Sequence, residues 1–73
     1  MIIKQHDRQR GTWVYDCGEY RGIVYKVGSQ WYARVGVRSG VSIAPDDSLV
    51  RVFRLRGQAE AFTREWLEAR TQT

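Results

Sequence analysis

The segment from Trp31 to Arg38 alternates cleanly, with Trp31, Ala33, Val35 and Val37 on one side and Tyr32, Arg34 and Arg38 on the other. A period of two marks a half-buried strand, so the first set meets a core and the second faces outward. The same pattern gives a first strand from Gly11 to Asp16, with Thr12, Val14 and Asp16 opposite Trp13, Tyr15 and Cys17. Tyr20 to Val27 reads as a second strand, joined to the Trp31 strand by a glycine-containing hairpin loop at Gly28-Ser29-Gln30. Ser39 to Ser48, which holds Gly40, Pro45 and Asp46-Asp47, reads as a loop with room for a short strand at Val41-Ser42-Ile43. A last strand spans Leu49 to Leu55. Leu49, Arg51, Phe53 and Leu55 share one face there, and Val50, Val52, Arg54 and Arg56 the other; both sets are mixed, so the pattern leaves its facing open.

From Gly57 to Arg70 the period changes to that of a helix, with Ala59, Phe62, Thr63, Trp66 and Ala69 on one side. Glu60 is expected in its first turn and Arg70 in its last, with Glu60 and Arg64 forming an i,i+4 pair. An isolated helix of this length is marginal in water, so it must dock on the sheet, through Phe62 and Trp66. Trp31 and Trp66 are expected to pack between the two layers. The predicted fold class is α+β, a small three- to four-stranded antiparallel sheet with one C-terminal helix on one face. Residues 1–10 show no period and read as a flexible arm, 11–70 as the single domain and 71–73 as a tail.

Composition narrows the chemistry. Cys17 is the only cysteine, so no intrachain disulfide can form, and no apolar run approaches the ~20 residues of a spanning helix. A soluble, cytoplasmic protein without a membrane partner is expected. His6 and Cys17 are the only soft metal ligands, too few for a site, and Cys17 lacks a base to activate it, so it reads as a small buried hydrophobe. Asp16 and Glu19 flank a turn, where carboxylates usually bind local backbone. No enzyme, cofactor, metal or small-molecule substrate is predicted.

Four stretches in order carry a resemblance: Tyr20-Arg21-Gly22-Ile23, Trp31-Tyr32-Ala33-Arg34-Val35, Arg51-Val52-Phe53-Arg54-Leu55 and Gln58-Ala59-Glu60-Ala61-Phe62. Together they resemble the AP2-like fold of three strands and a helix, found in plant AP2 transcription factors and in the arm-binding domains of phage integrases. The integrase version is the nearer one, here as a stand-alone module over residues 20–70. The resemblance implies a sheet that enters the major groove of DNA with Arg and aromatic side chains while the helix packs behind. It puts Arg21 on the Arg of the family's Tyr-Arg-Gly motif, and Lys26 and Arg51 on further basic contact positions. Val24, Gly28 and Gly36 stand where plant members carry Arg, Trp and Arg, so the plant type of guanine recognition is not implied.

Charge points the same way. Residues 20–56 hold seven bases against two acids while residues 57–73 carry two against three and 1–19 balance, so the net +4 arises from the middle, interleaved with Tyr20, Tyr25 and Tyr32. The expected contact residues are Arg21, Tyr25, Lys26, Tyr32, Arg34, Arg38, Arg51 and Arg54, a basic aromatic surface suited to a polyanion. Two partners fit: DNA, slightly favoured, and an acidic surface of a host protein such as bacterial RNA polymerase. Both describe a non-enzymatic regulator of transcription or DNA transactions, of the kind that bacteriophages and mobile elements make. A structural accessory without a specific site is the third reading.

Overall fold

Glycines set the turns. Gly18-Glu19, Gly28-Ser29 and Gly40-Val41 each form a two-residue hairpin loop whose glycine has a positive φ (61°, 63° and 58°). No other residue type in the described chain does so, and glycine at the first central position is the requirement of a type II′ turn. Gln30, expected in the loop, is thereby the first residue of its strand. The computed structural model describes residues 1–71.

Six strands precede the helix: β1 (Ile3–Asp7), β2 (Thr12–Cys17), β3 (Tyr20–Val27), β4 (Gln30–Ser39), β5 (Ser42–Ile43) and β6 (Leu49–Phe53). A short 3₁₀ turn, Pro45–Asp47, lies before β6, and the helix α1 spans Arg56–Thr71. All pairings are antiparallel, in the order β1-β2-β3-β4, and β5 and β6 share the outer side of β4. The α+β class with a C-terminal helix is as expected, with more strands than the three or four predicted.

The flexible arm expected over residues 1–10 is instead half of a hairpin. β1 pairs with β2 along its whole length, from Ile3 opposite Asp16 to Asp7 opposite Thr12. Its turn is held by the Asp7 carboxylate, which accepts from the backbone N–H of Gln9 (3.1 Å) and Arg10 (3.2 Å), and by Gly11 N–H donating to the Asp7 carbonyl. Of the expected tail, Thr71 belongs to α1 and 72–73 lie outside the described residues.

The core lies between α1 and one side of the sheet. Tyr15 and Cys17 from β2, Val24 from β3, Ala33 and Val35 from β4, and Ala59, Thr63 and Leu67 from α1 are buried. Trp31 and Trp66 are half-buried around this cluster, with Trp13, Tyr20, Phe53 and Phe62, and do not fill it. The small residues Gly22, Ala33 and Ala59 let the helix sit too close for an indole between the layers: a Cβ at Gly22 would overlap Thr63 Cγ2. On the helical wheel Leu67 and Ala69 lie at equal angles, about 80° either side of Ala59. Leu67 is the one buried, because the buried stripe of Ala59, Thr63 and Leu67 centres on Thr63, about 40° from Leu67 and about 120° from the exposed Ala69.

The helix begins at Arg56, so Glu60 falls beyond the first turn. It pairs with Arg56 (3.4 Å) and with Lys4 of β1 (3.7 Å), and Arg64, its expected partner, lies over the Tyr15 ring at 5.6 Å. Tyr15 itself is fully buried, and its phenol is pushed up to about 12, first by burial and then by the neighbouring Glu60 carboxylate. Between pH 10 and 12 the unfolded chain gives up this proton while the folded one keeps it, so stability falls as pH rises through that window. At ~1.4 kcal/mol per pH unit the loss is of order 2–3 kcal/mol. Urea titrations at pH 9 and 12 should show it in the native protein, and Tyr15→Phe should lack this component.

Candidate binding face on the open side of the sheet

The alternation that buries Tyr15, Val24 and Ala33 sends their strand neighbours to the side without a helix. Register then assembles those neighbours into rows. Val14, Ile23, Arg34 and Val50 lie side by side across β2, β3, β4 and β6. In the next row Tyr25, Tyr32 and Val52 cross β3, β4 and β6, and Ile3, Asp16, Arg21 and Gly36 form a row on the other flank. The face is thus apolar and aromatic in its middle. Val50 and Val52 are 43% and 48% exposed, and Val14, Ile23, Tyr25 and Tyr32 are half-buried.

Tyr25 and Tyr32 stack on each other, with ring centroids 5.4 Å apart and planes 12° from parallel. Such a cross-strand pair stabilises the β3–β4 register and makes a stiff platform with few rotamers to lose on contact. Beside it, Arg34 sits between Ile23 and Val50. Its Nε is buried without a hydrogen-bond partner, and among the described residues no carboxylate pairs with its guanidinium. A half-buried cation among aliphatic side chains favours an anion more strongly than a solvated surface arginine, because water screens the pair less.

The expected contact residues separate into three groups. Tyr25, Tyr32, Arg34 and Arg38 share the open face. Lys26 and Arg51 lie on the other side by strand alternation, with Lys26 Nζ 5.9 Å from the centre of the Trp31 ring and Arg51 opposite Ala33, while Arg54 follows β6 in the bend before α1. The third group is Arg21, whose guanidinium is committed within the fold. Its Nε and Nη2 donate to the two Asp16 carboxylate oxygens (2.6 and 3.3 Å), and Nη1 donates to the carbonyls of Gly40 (3.0 Å) and Ser42 (3.3 Å). Only 11% of its side chain is exposed. Arg21 therefore ties the β4–β5 turn to the β2–β3 hairpin. Asp16, expected to bind local backbone, is the other half of this pair.

That ion pair was readable in advance: a two-residue turn at Gly18-Glu19 sets Asp16 directly opposite Arg21. The apolar rows were the larger omission. Their signal is the alternation of Val50 and Val52 with Arg51, which acquires meaning once β6 is known to pair with β4. A groove of about 340 Å³ lies at one end, lined by Gln5, Asp7, Val14, Arg21, Gly40 and Val41 among others. Cys17 is buried, its thiol 3.6 Å from the Thr71 hydroxyl, and no cluster of metal-ligating side chains occurs among the described residues. Among the described residues no helix is long and apolar enough to cross a membrane. No family model, curated protein or solved structure matches this chain.

Proposed function

We propose that this protein is a small non-enzymatic regulator of transcription or DNA transactions, acting by binding through the open face of its sheet. The partner supported best is a protein that seats an acidic group on Arg34. One observation carries this reading: Arg34 Nε is buried without a hydrogen-bond partner, on a residue that stands in register between Ile23 and Val50 and one row from the stacked Tyr25–Tyr32 pair. Tight protein interfaces concentrate their energy in such arrangements, an Arg and aromatic anchors within an apolar patch that excludes water. The regulatory setting rests on the resemblance to AP2-like modules and on analogy with small phage regulators, for which a host RNA polymerase is an example of the target.

Duplex DNA is the second reading, favoured by the net +4 and by Arg34 and Arg38 on the same face. Lys26 and Arg51 turn to the other side of the sheet, which leaves too few cations to follow a phosphate backbone. Two neutralised phosphates give a log-log salt slope of only about −2.

The test is capture from bacterial lysate on immobilised protein, with and without nuclease, using the native chain and an Arg34→Glu/Arg38→Glu variant whose circular dichroism matches it. A protein retained after nuclease treatment and lost with the double variant is the expected result. Loss of the captured material on nuclease treatment would transfer the reading to nucleic acid. Equal capture by the double variant would remove the open face from the function.

A further inference from the structure

The two outer edges of the sheet are unlike. At β1, Lys4 is engaged with Glu60 and lies over the Trp13 ring (4.6 Å), His6 stacks on Trp13, and the Asp7 carboxylate closes the turn. At β6, Leu49-Val50-Arg51-Val52-Phe53 pairs on one side only, with β4. Its other side presents unpaired backbone N–H and C=O groups on a strand without Pro, Gly or Lys, and Val50, Arg51 and Val52 are exposed. Natural sheets usually blunt such an edge with lysine, proline or a bulge. Here the only charge is Arg51, which has no acidic partner among the described residues.

We infer that β6 is a docking edge that takes up an extended, acidic segment of a partner protein as a further antiparallel strand. The pattern of that segment follows from the strand it joins. Residues beside Val50 and Val52 continue the apolar open face, and residues beside Arg51 fall on the opposite side, where a carboxylate completes the pair. The recognised segment therefore centres on an acidic residue beside Arg51, with apolar residues beside Val50 and Val52 on either side of it. A second copy of this chain is the less suitable occupant, since antiparallel pairing of two β6 strands about their centres sets Arg51 against Arg51. The inference rests on the protein-binding reading above and specifies how the partner approaches.

The probe is a synthetic seven-residue peptide of alternating valine and glutamate, with a valine–lysine peptide as control. Amide exchange and chemical shifts of the intact protein are followed by NMR. Saturable protection of amides within Leu49–Phe53 by the glutamate peptide is expected. Arg51→Glu should weaken it about tenfold and let the lysine peptide bind instead. Unprotected β6 amides, or no exchange of preference in Arg51→Glu, would overturn the inference. Arg34 lies two strands from the added segment, so the Arg34→Glu/Arg38→Glu variant should keep the peptide. Its failure to capture a whole partner is thus a separate result from failure at the edge.

Discussion

Gly22→Val should leave the protein largely unfolded at room temperature. Gly22 lies on β3 where α1 crosses, and a Cβ there overlaps Thr63 Cγ2 and comes within 3.3 Å of Val35 Cγ1. Neither neighbour yields easily. Thr63 is fully buried, and its hydroxyl donates to the Ala59 carbonyl at 2.8 Å, which fixes its rotamer, while Val35 is a core residue of β4. Relief requires moving the helix, which opens the contacts of Ala59 and Leu67 as well. Overpacking typically costs about 1–3 kcal/mol even for a modest insertion, and a valine places three carbons where none fits. A chain of this length holds roughly 4–10 kcal/mol of stability in all. Gly22→Ala should be intermediate, and Thr63→Ala, which removes the colliding methyl, should restore part of it. Denaturant midpoints of the two single variants and the double variant make the test. Additive effects would mean that the helix does not approach the sheet at Gly22.

Arg21→Ala should cost about 2–4 kcal/mol, although its chemistry resembles that of a contact residue. The substitution removes four charge-assisted hydrogen bonds, leaves Asp16 as a half-buried carboxylate without its partner, and releases the carbonyls of Gly40 and Ser42. Arg21→Lys should recover little, because a single ammonium cannot hold both carboxylate oxygens while reaching the turn. Thermal melts of Arg21→Ala, Arg21→Lys and Arg34→Ala should separate the roles: a large loss in the first two, a small change in the third. A native melting temperature for Arg21→Ala would return Arg21 to the binding surface. Any loss of partner binding at Arg21 must accordingly be read with stability in hand, whereas Arg34 reports on binding directly.

The strands β2, β3 and β4 and the helix were legible because each carries a strong period and a glycine boundary. β1 was not. Its alternation of Ile3, Gln5 and Asp7 with Lys4 and His6 is polar on both sides, and it becomes a strand only because β2 offers a free edge and the turn at Asp7–Gly11 brings it there. Lys26 and Arg51 illustrate a second limit. Both are basic and lie on strands, yet they fall on the side opposite Arg34, since membership of a strand says nothing about sharing a face with another strand until the register is known.

By itself the sequence determined which residues within each strand lie together, where the chain turns, that one helix must dock, and that the cations concentrate in the middle of the chain. Period, glycine conformation and charge are local properties, so one chain suffices to read them. The tertiary structure decided that residues 3–7 join the sheet as β1, that Leu67 and not Ala69 enters the core, that Arg21 is bound internally, and that Arg34 Nε is left without a partner in the row of Ile23 and Val50. These are relations between elements. They depend on the pairing of β1 with β2, on the close approach at Gly22 and on the pairing of β6 with β4, and none of these is encoded in the pattern of any single segment.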